Sequence, residues 1–147
     1  SDLRNYTAML YFKQVTTLGY AGQEAACSHL PSLFERDTIS WDTGIDLSDL
    51  MRRMSKIKHE ELDADDALFV AADDENDIAV LRREHDGRRK VGVVSLKSQS
   101  AEVEVPLPDG TYENLVDGSS VTVRDGKLAC AGTPIVAATD VERTWGV

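Results

Sequence analysis

Chemistry-bearing side chains cluster in one short part of the sequence. Tyr20, Gln23 and Glu24 fall within the run Tyr20-Ala21-Gly22-Gln23-Glu24, and His29, Phe34 and Trp41 follow in a polar stretch that contains Pro31 and ends near Asp42. Aromatic faces and polar edges suit sugar rings, so Trp41, Phe34 and His29 are candidates to stack on or bond a carbohydrate. The competing reading has them anchor the loop. Cys27 and His29 are two possible soft ligands without partners, which do not make a metal site. Asp73-x-Glu75-x-Asp77 is spaced like the start of a calcium loop, but Ile78 stands where the turn glycine belongs and no bidentate Glu follows at the required offset. No metal and no cofactor are expected. A solvated linker and hairpin tip accounts for this acidic stretch, which begins at Glu60. The sequence contains no Gly-x-Ser-x-Gly elbow, phosphate loop or dinucleotide fingerprint.

The elements that must position these residues change character near residue 65. Leu3, Tyr6, Met9 and Leu10 lie three or four apart and predict a helix with one apolar stripe. Residues 15–21 are β-branched and aromatic, end at Gly22, and predict a strand. A long loop then runs from Gln23 to about Asp42, and loops of that length in compact proteins are usually functional. A second helix is expected from an Asp46 cap to about Leu62, with Leu47, Leu50, Met51, Met54 and Ile57 on one face. Its cations Lys56 and Lys58 lie where the helix dipole favours them.

Beyond residue 65 the pattern is all-β. Strands are expected over residues 67–72, 78–83, 91–96, 101–105, 111–116, 120–124, 127–131 and 135–138. Asp-Gly occurs at 86–87, 109–110, 117–118 and 125–126, and this pair between alternating runs is a strong hairpin signal. Strands at this spacing describe a sandwich or small barrel. Arg82, Arg83, Arg88, Arg89 and Lys90 flank the first of these turns and read as a charged edge hairpin that discourages strand pairing.

The whole-chain numbers are compatible with a soluble fold. The chain has 147 residues, 41% hydrophobic and 29% charged, and a net charge of -10. That charge argues against a nucleic-acid partner, which requires clustered Lys and Arg, and gives no attraction to an anionic membrane. Neutral sugars remain compatible. The two cysteines, Cys27 and Cys130, are too few and too far apart for a disulfide framework.

One helix-strand-loop-helix stretch is not a domain, because its strand needs neighbours for its backbone groups. It is one slice of a (β/α) barrel, in which the loops after the strands carry the chemistry. The segment Tyr20-Ala21-Gly22-Gln23-Glu24 resembles the end of the eighth barrel strand in the α-amylase family, glycoside hydrolase family 13. Val15 and Thr17 stand where that family has Gly and Pro. The run Pro31-Ser32-Leu33-Phe34-Glu35-Arg36-Asp37-Thr38-Ile39-Ser40-Trp41 resembles the loop that follows, and Val105-Pro106-Leu107-Pro108-Asp109-Gly110-Thr111-Tyr112-Glu113-Asn114-Leu115 resembles a strand of the family's C-terminal sandwich.

The resemblance implies residues 1–64 as the last β/α unit of a (β/α)8 barrel and residues 65–147 as an all-β C-terminal Greek-key sandwich. It implies an α-glucan or maltooligosaccharide partner for the parent protein. It places the three catalytic carboxylates on earlier barrel strands, so no catalytic residue is expected here. Tyr20, Gln23 and Glu24, with His29 and Trp41, become candidate sugar contacts. The alternative for Tyr20 and Glu24 is a brace that holds the last barrel strand. Two further readings stand beside the hydrolase fragment: a carbohydrate-binding module, and a non-catalytic homologue used for association. The stripes Leu3/Tyr6/Leu10 and Leu47/Leu50/Met54 cannot all be covered within one chain, so a homo-oligomer or a disordered N-terminal third is expected.

Overall fold

The computed structural model describes residues 2–14, 16–17, 22–27, 36 and 41–142. Its elements are helix α1 (Asp2–Phe12), a 3-10 turn (Gln23–Ala25), helix α2 (Ser48–Glu60) and strands β1 (Ala67–Asp73), β2 (Ile78–His85), β3 (Arg88–Ser95), β4 (Ser100–Glu104), β5 (Gly110–Glu113), β6 (Ser120–Arg124), β7 (Lys127–Ala131) and β8 (Ile135–Asp140). Every strand expected after residue 65 is present. The strand expected over residues 15–21 and most of the loop after Gln23 lie outside the described residues.

The strands form two antiparallel sheets, ordered β1-β2-β3-β8 and β4-β7-β6-β5. The second order is a Greek key, since β4 returns to lie beside β7 rather than beside β5. Alternation of side chains gives the sandwich its core. Ile78, Val80, Val91, Val93, Val103, Val123 and Leu128 all face inward and are buried. The first sheet is also covered on its outer face, where Leu81, Val94 and Val136 pack against Ala8 and Phe12 of α1 and Leu50, Met54 and Ile57 of α2. The result is three layers: helices, inner sheet, outer sheet.

Helix α2 follows its sequence pattern closely. Leu47, Leu50, Met54 and Ile57 recur at helical spacing and are buried. The helix starts at Ser48, one residue later than expected, with Leu47 rather than Asp46 at the capping position. Asp46 still serves the helix end, because its carboxylate accepts the Ser48 N–H at 2.8 Å.

Helix α1 departs from its pattern. The apolar stripe faces solvent, with Leu3, Tyr6 and Leu10 at 41%, 44% and 43% exposure, and the buried side is Asn5, Ala8 and Phe12. Two specific contacts override apolar periodicity. The Asn5 side-chain amide donates to Gly132 O at 2.9 Å, and its carbonyl oxygen accepts the Ser95 N–H at 2.9 Å, so one buried side chain satisfies two backbone groups. The Phe12 ring lies against Gly92, where a Cβ would meet ring carbons at 3.3 Å. Only a residue without a side chain allows that close approach.

The basic hairpin is also placed differently from expectation. β2 and β3 are the central strands of their sheet, so Arg82, Arg83, Arg88, Arg89 and Lys90 guard no edge. Arg83 and Lys90 are cross-strand partners, and both are buried on the single carboxylate of Asp66. Lys90 Nζ lies 2.7 Å from Asp66 Oδ1. Arg83 Nε lies 3.0 Å from Oδ2, an ion-pair contact without hydrogen-bond alignment. Asp66 therefore does not belong to the solvated linker. Arg88 and Arg89 pair with Glu61 and Glu84 instead, at 3.2 and 2.8 Å.

Two of the four Asp-Gly pairs form the expected tight turns. Asp86 and Gly87, and Asp125 and Gly126, all have positive φ, as the hairpin turn requires. Asp109 has a different use. Its carboxylate accepts the N–H groups of Asp125 and Gly126, each at 2.9 Å, and so caps the β6–β7 turn from a neighbouring loop. Asp117 and Gly118 lie in the loop between β5 and β6, where the Gly118 N–H donates to Asn114 O at 2.7 Å.

Two outcomes follow. Replacing Asp66 with Asn leaves two buried cations without their counter-charge, and such a loss costs about 3–5 kcal/mol. Urea denaturation of Asp66→Asn against the parent chain measures it, and a loss under about 1 kcal/mol, the range of exposed pairs, would contradict burial of the cluster. The Asp109 carboxyl is held below its ordinary 3.8, first by the Gly126 amide and then by the Asp125 amide. A carboxyl depressed in the folded state stabilises above its unfolded pKa and loses that effect as pH falls through the folded value. Hydrogen exchange at Asp125 and Gly126 should therefore stay protected at pH 3.8 and open only below it.

Candidate functional site

The candidate residues sit where the chain leaves α1 and returns to α2. Of the five, the structure describes Gln23, Glu24 and Trp41; Tyr20 and His29 lie outside the described residues. Gln23 and Glu24 open the 3-10 turn, which follows Gly22 in a left-handed conformation at φ 92°. Main-chain bonds hold the turn to itself, with the Ala25 N–H donating to Gly22 O at 3.2 Å and the Ala26 N–H to Gln23 O at 3.0 Å. It is held to the start of α2 as well. The Leu47 N–H donates to Glu24 O at 2.6 Å, and the Thr43 hydroxyl donates to Ala25 O. Ala25 is buried beneath the turn.

This arrangement fixes the backbone of Gln23 and Glu24 and leaves their side chains half-buried. The Glu24 carboxylate makes no hydrogen bond or ion pair among the described residues. Trp41 is 58% exposed, and Ile45 on the same returning segment is 47% exposed. The structure thus brings Gln23 and Glu24 into one turn and ties that turn to the segment that follows Trp41. Such a surface can offer hydrogen bonds and one aromatic face to a ligand.

A second feature beside this region was not foreseen. The C-terminal end of α1 is gripped by cations from two other elements. Lys58 Nζ donates to Tyr11 O at 3.2 Å and to Thr17 Oγ1 at 3.2 Å. Arg83 Nη1 donates to Phe12 O at 2.9 Å, and its Nη2 to Asp63 O at 2.6 Å. These carbonyls carry the negative end of the α1 dipole. Burial lowers the Lys58 ammonium from its ordinary 10.5, and nearby Arg83 lowers it further. Burial likewise lowers Arg83, while Asp66 opposes the shift. A cleft of about 610 Å³ opens between these groups, with Lys13, Lys58, His59 and Asp63 on its walls. One signal in the sequence pointed this way. Strand alternation places Arg83 on the face of Ala79 and Leu81, which pack against the helices.

The acidic residues after β1 have local uses. Asp73 accepts the Asn76 N–H at 3.2 Å and its side-chain amide at 2.9 Å, and Asp77 pairs with Lys97 at 2.8 Å. Among the described residues no group of three or more His, Cys, Asp or Glu is placed to hold a metal ion. Cys27 is half-buried and Cys130 buried, and neither is in a disulfide. No described helix is long and apolar enough to cross a membrane.

Residues 69–136 match the family described as the bacterial alpha amylase C-terminal domain. Among solved structures, an alpha-amylase from Lactobacillus plantarum is 29% identical over 94% of this chain, with a TM-score of 0.80. A noncanonic maltogenic alpha-amylase from Thermotoga neapolitana is 13% identical over 96% of the chain with a TM-score of 0.70, and a gamma-CGTase from alkalophilic Bacillus clarkii is 15% identical over 95% with a TM-score of 0.73. The last two likenesses show the fold. The chain spans about a third of the Lactobacillus plantarum protein, and 37% and 23% of the other two. No curated protein matches this sequence. The matched sandwich and the likeness of the whole chain to the Lactobacillus plantarum alpha-amylase are consistent with the C-terminal part of an α-amylase-family protein.

Proposed function

We propose that residues 1–64 are the closing β/α unit of a (β/α)8 catalytic barrel and residues 65–147 its C-terminal sandwich. In this reading the parent protein is a retaining glycosidase acting on α-glucosidic bonds of starch-type glucans or maltooligosaccharides. The chain itself supplies scaffold and part of the sugar cleft, not the catalytic carboxylates. The observation that carries the reading is the outward face of α1. Leu3, Tyr6 and Leu10 are large, apolar and exposed on the side opposite the sandwich contacts, as a barrel helix would be whose neighbours belong to the rest of the protein. The likeness to the Lactobacillus plantarum alpha-amylase supports it, because that match covers 94% of the chain, helices included.

Within this reading Gln23 and Glu24, with Tyr20, line the floor of the cleft, and His29 and Trp41 sit on the loop above it. The apolar face of α1 also makes self-association the expected state of the chain on its own.

A chromogenic maltooligosaccharide assay, run on this chain and on the full product of its reading frame, tests the function. Cleavage by the long form alone is expected. Failure of both forms would remove the hydrolase reading, and cleavage by the short chain would place the catalytic carboxylates here after all. Sedimentation velocity tests the exposed face: Tyr6→Glu with Leu10→Glu should return an associating chain to monomer. If the parent chain is already monomeric, association through α1 is excluded.

A further inference from the structure

Beyond the sugar site, the described sheet edges are protected unequally. An open edge presents unpaired N–H and C=O groups to any passing strand, and proteins normally blunt it. β5 is four residues long, and β4 carries Glu102 and Glu104 outward. β8 is covered along its edge by the loop after β5: the Leu115 N–H donates to Val136 O at 2.8 Å, and Asn114 Oδ1 accepts the Val136 N–H at 3.1 Å. β1 has none of these devices. Among the described residues it pairs only with β2. Its segment Ala67-Leu68-Phe69-Val70-Ala71-Ala72 holds no charge, Pro or Gly, and Phe69 and Val70 are 50% and 62% exposed.

The charge around this edge selects the occupant. Asp73, Asp74 and Glu75 follow β1 directly, and they share a cleft of about 520 Å³ with Ala71, Glu102 and Glu104. Among the described residues Asp74, Glu75, Glu102 and Glu104 have no ion-pair partner, and the one cation on the cleft wall is Lys127. Asp63 and Asp65 precede the strand at its other end. A second copy pairing antiparallel would set Asp63 and Asp65 against Asp73, Asp74 and Glu75 at both ends of the ladder. Like charges placed opposite one another are destabilising. A segment with basic residues meets complementary charge instead.

We propose that β1 is a docking edge for an extended segment of another protein. That segment alternates apolar residues with Lys or Arg and adds as an outer strand to the β1-β2-β3-β8 sheet. Main-chain hydrogen bonds supply the affinity of such strand addition, and the side chains supply its selectivity. Here the apolar side chains lie on the face of Val70, and the basic ones, on the opposite face with Phe69 and Ala71, enter the cleft beside Glu102 and Glu104. Phe69 is already braced for this, because the Arg82 guanidinium lies 4.2 Å from its ring centre and holds one face.

Fluorescence anisotropy on this chain tests the proposal. The probe is a labelled, end-blocked peptide alternating Lys with Val and Thr, compared with the same peptide carrying Glu for Lys. The Lys peptide should bind more tightly by about tenfold or more, a preference that weakens as salt rises. Its binding should shift backbone amide resonances of Ala67–Asp73. Val70→Lys should weaken it by about tenfold, and so should the double variant Glu102→Lys, Glu104→Lys. Thermal melts establish that each variant is folded; if Val70→Lys is not, the double variant decides, since its side chains are exposed on the other sheet. Absence of binding, equal binding of the two peptides, or indifference to the substitutions would overturn the proposal. A concentration-dependent dimer that Val70→Lys dissolves would do the same, assigning the edge to a second copy.

Discussion

Two cations on one buried carboxylate determine how this molecule is put together. Asp66, Arg83 and Lys90 are all withdrawn from water, and the trio carries one positive charge in excess. Burying unbalanced charge is costly unless polar groups replace the lost solvent. The replacement comes from backbone carbonyls. Arg83 donates to Phe12 O at the end of α1 and to Asp63 O at the entry to the sandwich. A helix C-terminus is the right partner for a cation, since its orphan carbonyls concentrate negative potential. The cluster is thus complete only when α1, the segment after α2 and the two central strands are all in place.

This requirement explains why the helices pack on the sandwich although their role is proposed to lie in a barrel. Asn5 and Phe12 give up the apolar side of α1 to the solvent in order to meet Gly132, Ser95 and Gly92. α2 does the opposite and buries Leu47, Leu50, Met54 and Ile57. The turn holding Gln23 and Glu24 hangs between the two, bonded to Thr43 and Leu47 at the start of α2. Placement of the candidate site therefore derives from the sandwich through the helices, which gives the sandwich a structural part in the proposed sugar cleft.

Local patterning made the strands and α2 readable from the sequence. Period-two alternation survives because each strand has one face in the core, and Asp-Gly turns report themselves when both residues need positive φ, as at 86–87 and 125–126. What escaped was decided by long-range contacts. A stripe of Leu3, Tyr6 and Leu10 reads as a buried face unless one knows that Asn5 finds two backbone partners some ninety residues or more away. Arg83 and Lys90 read as edge charges because the sequence does not reveal which strands are central. Asp66 sits in an acidic run, and nothing nearby in the sequence distinguishes it from its solvated neighbours. Asp109 looks like a turn former and instead caps another turn. Of the candidate site, Gln23 and Glu24 were found through a motif, and their tether to Thr43 and Leu47 was not.

The central claim is that helices and sandwich form one cooperative unit closed by the Asp66 cluster. Native-state hydrogen exchange under increasing denaturant tests it most directly, by comparing amides of α1 at Ala8 and Phe12 and of α2 at Met54 with those of β3 at Val91 and Val93. The account predicts that all of them merge into one opening with a single free energy. Helix amides that exchange through a separate, much lower-energy opening while β3 stays protected would contradict it.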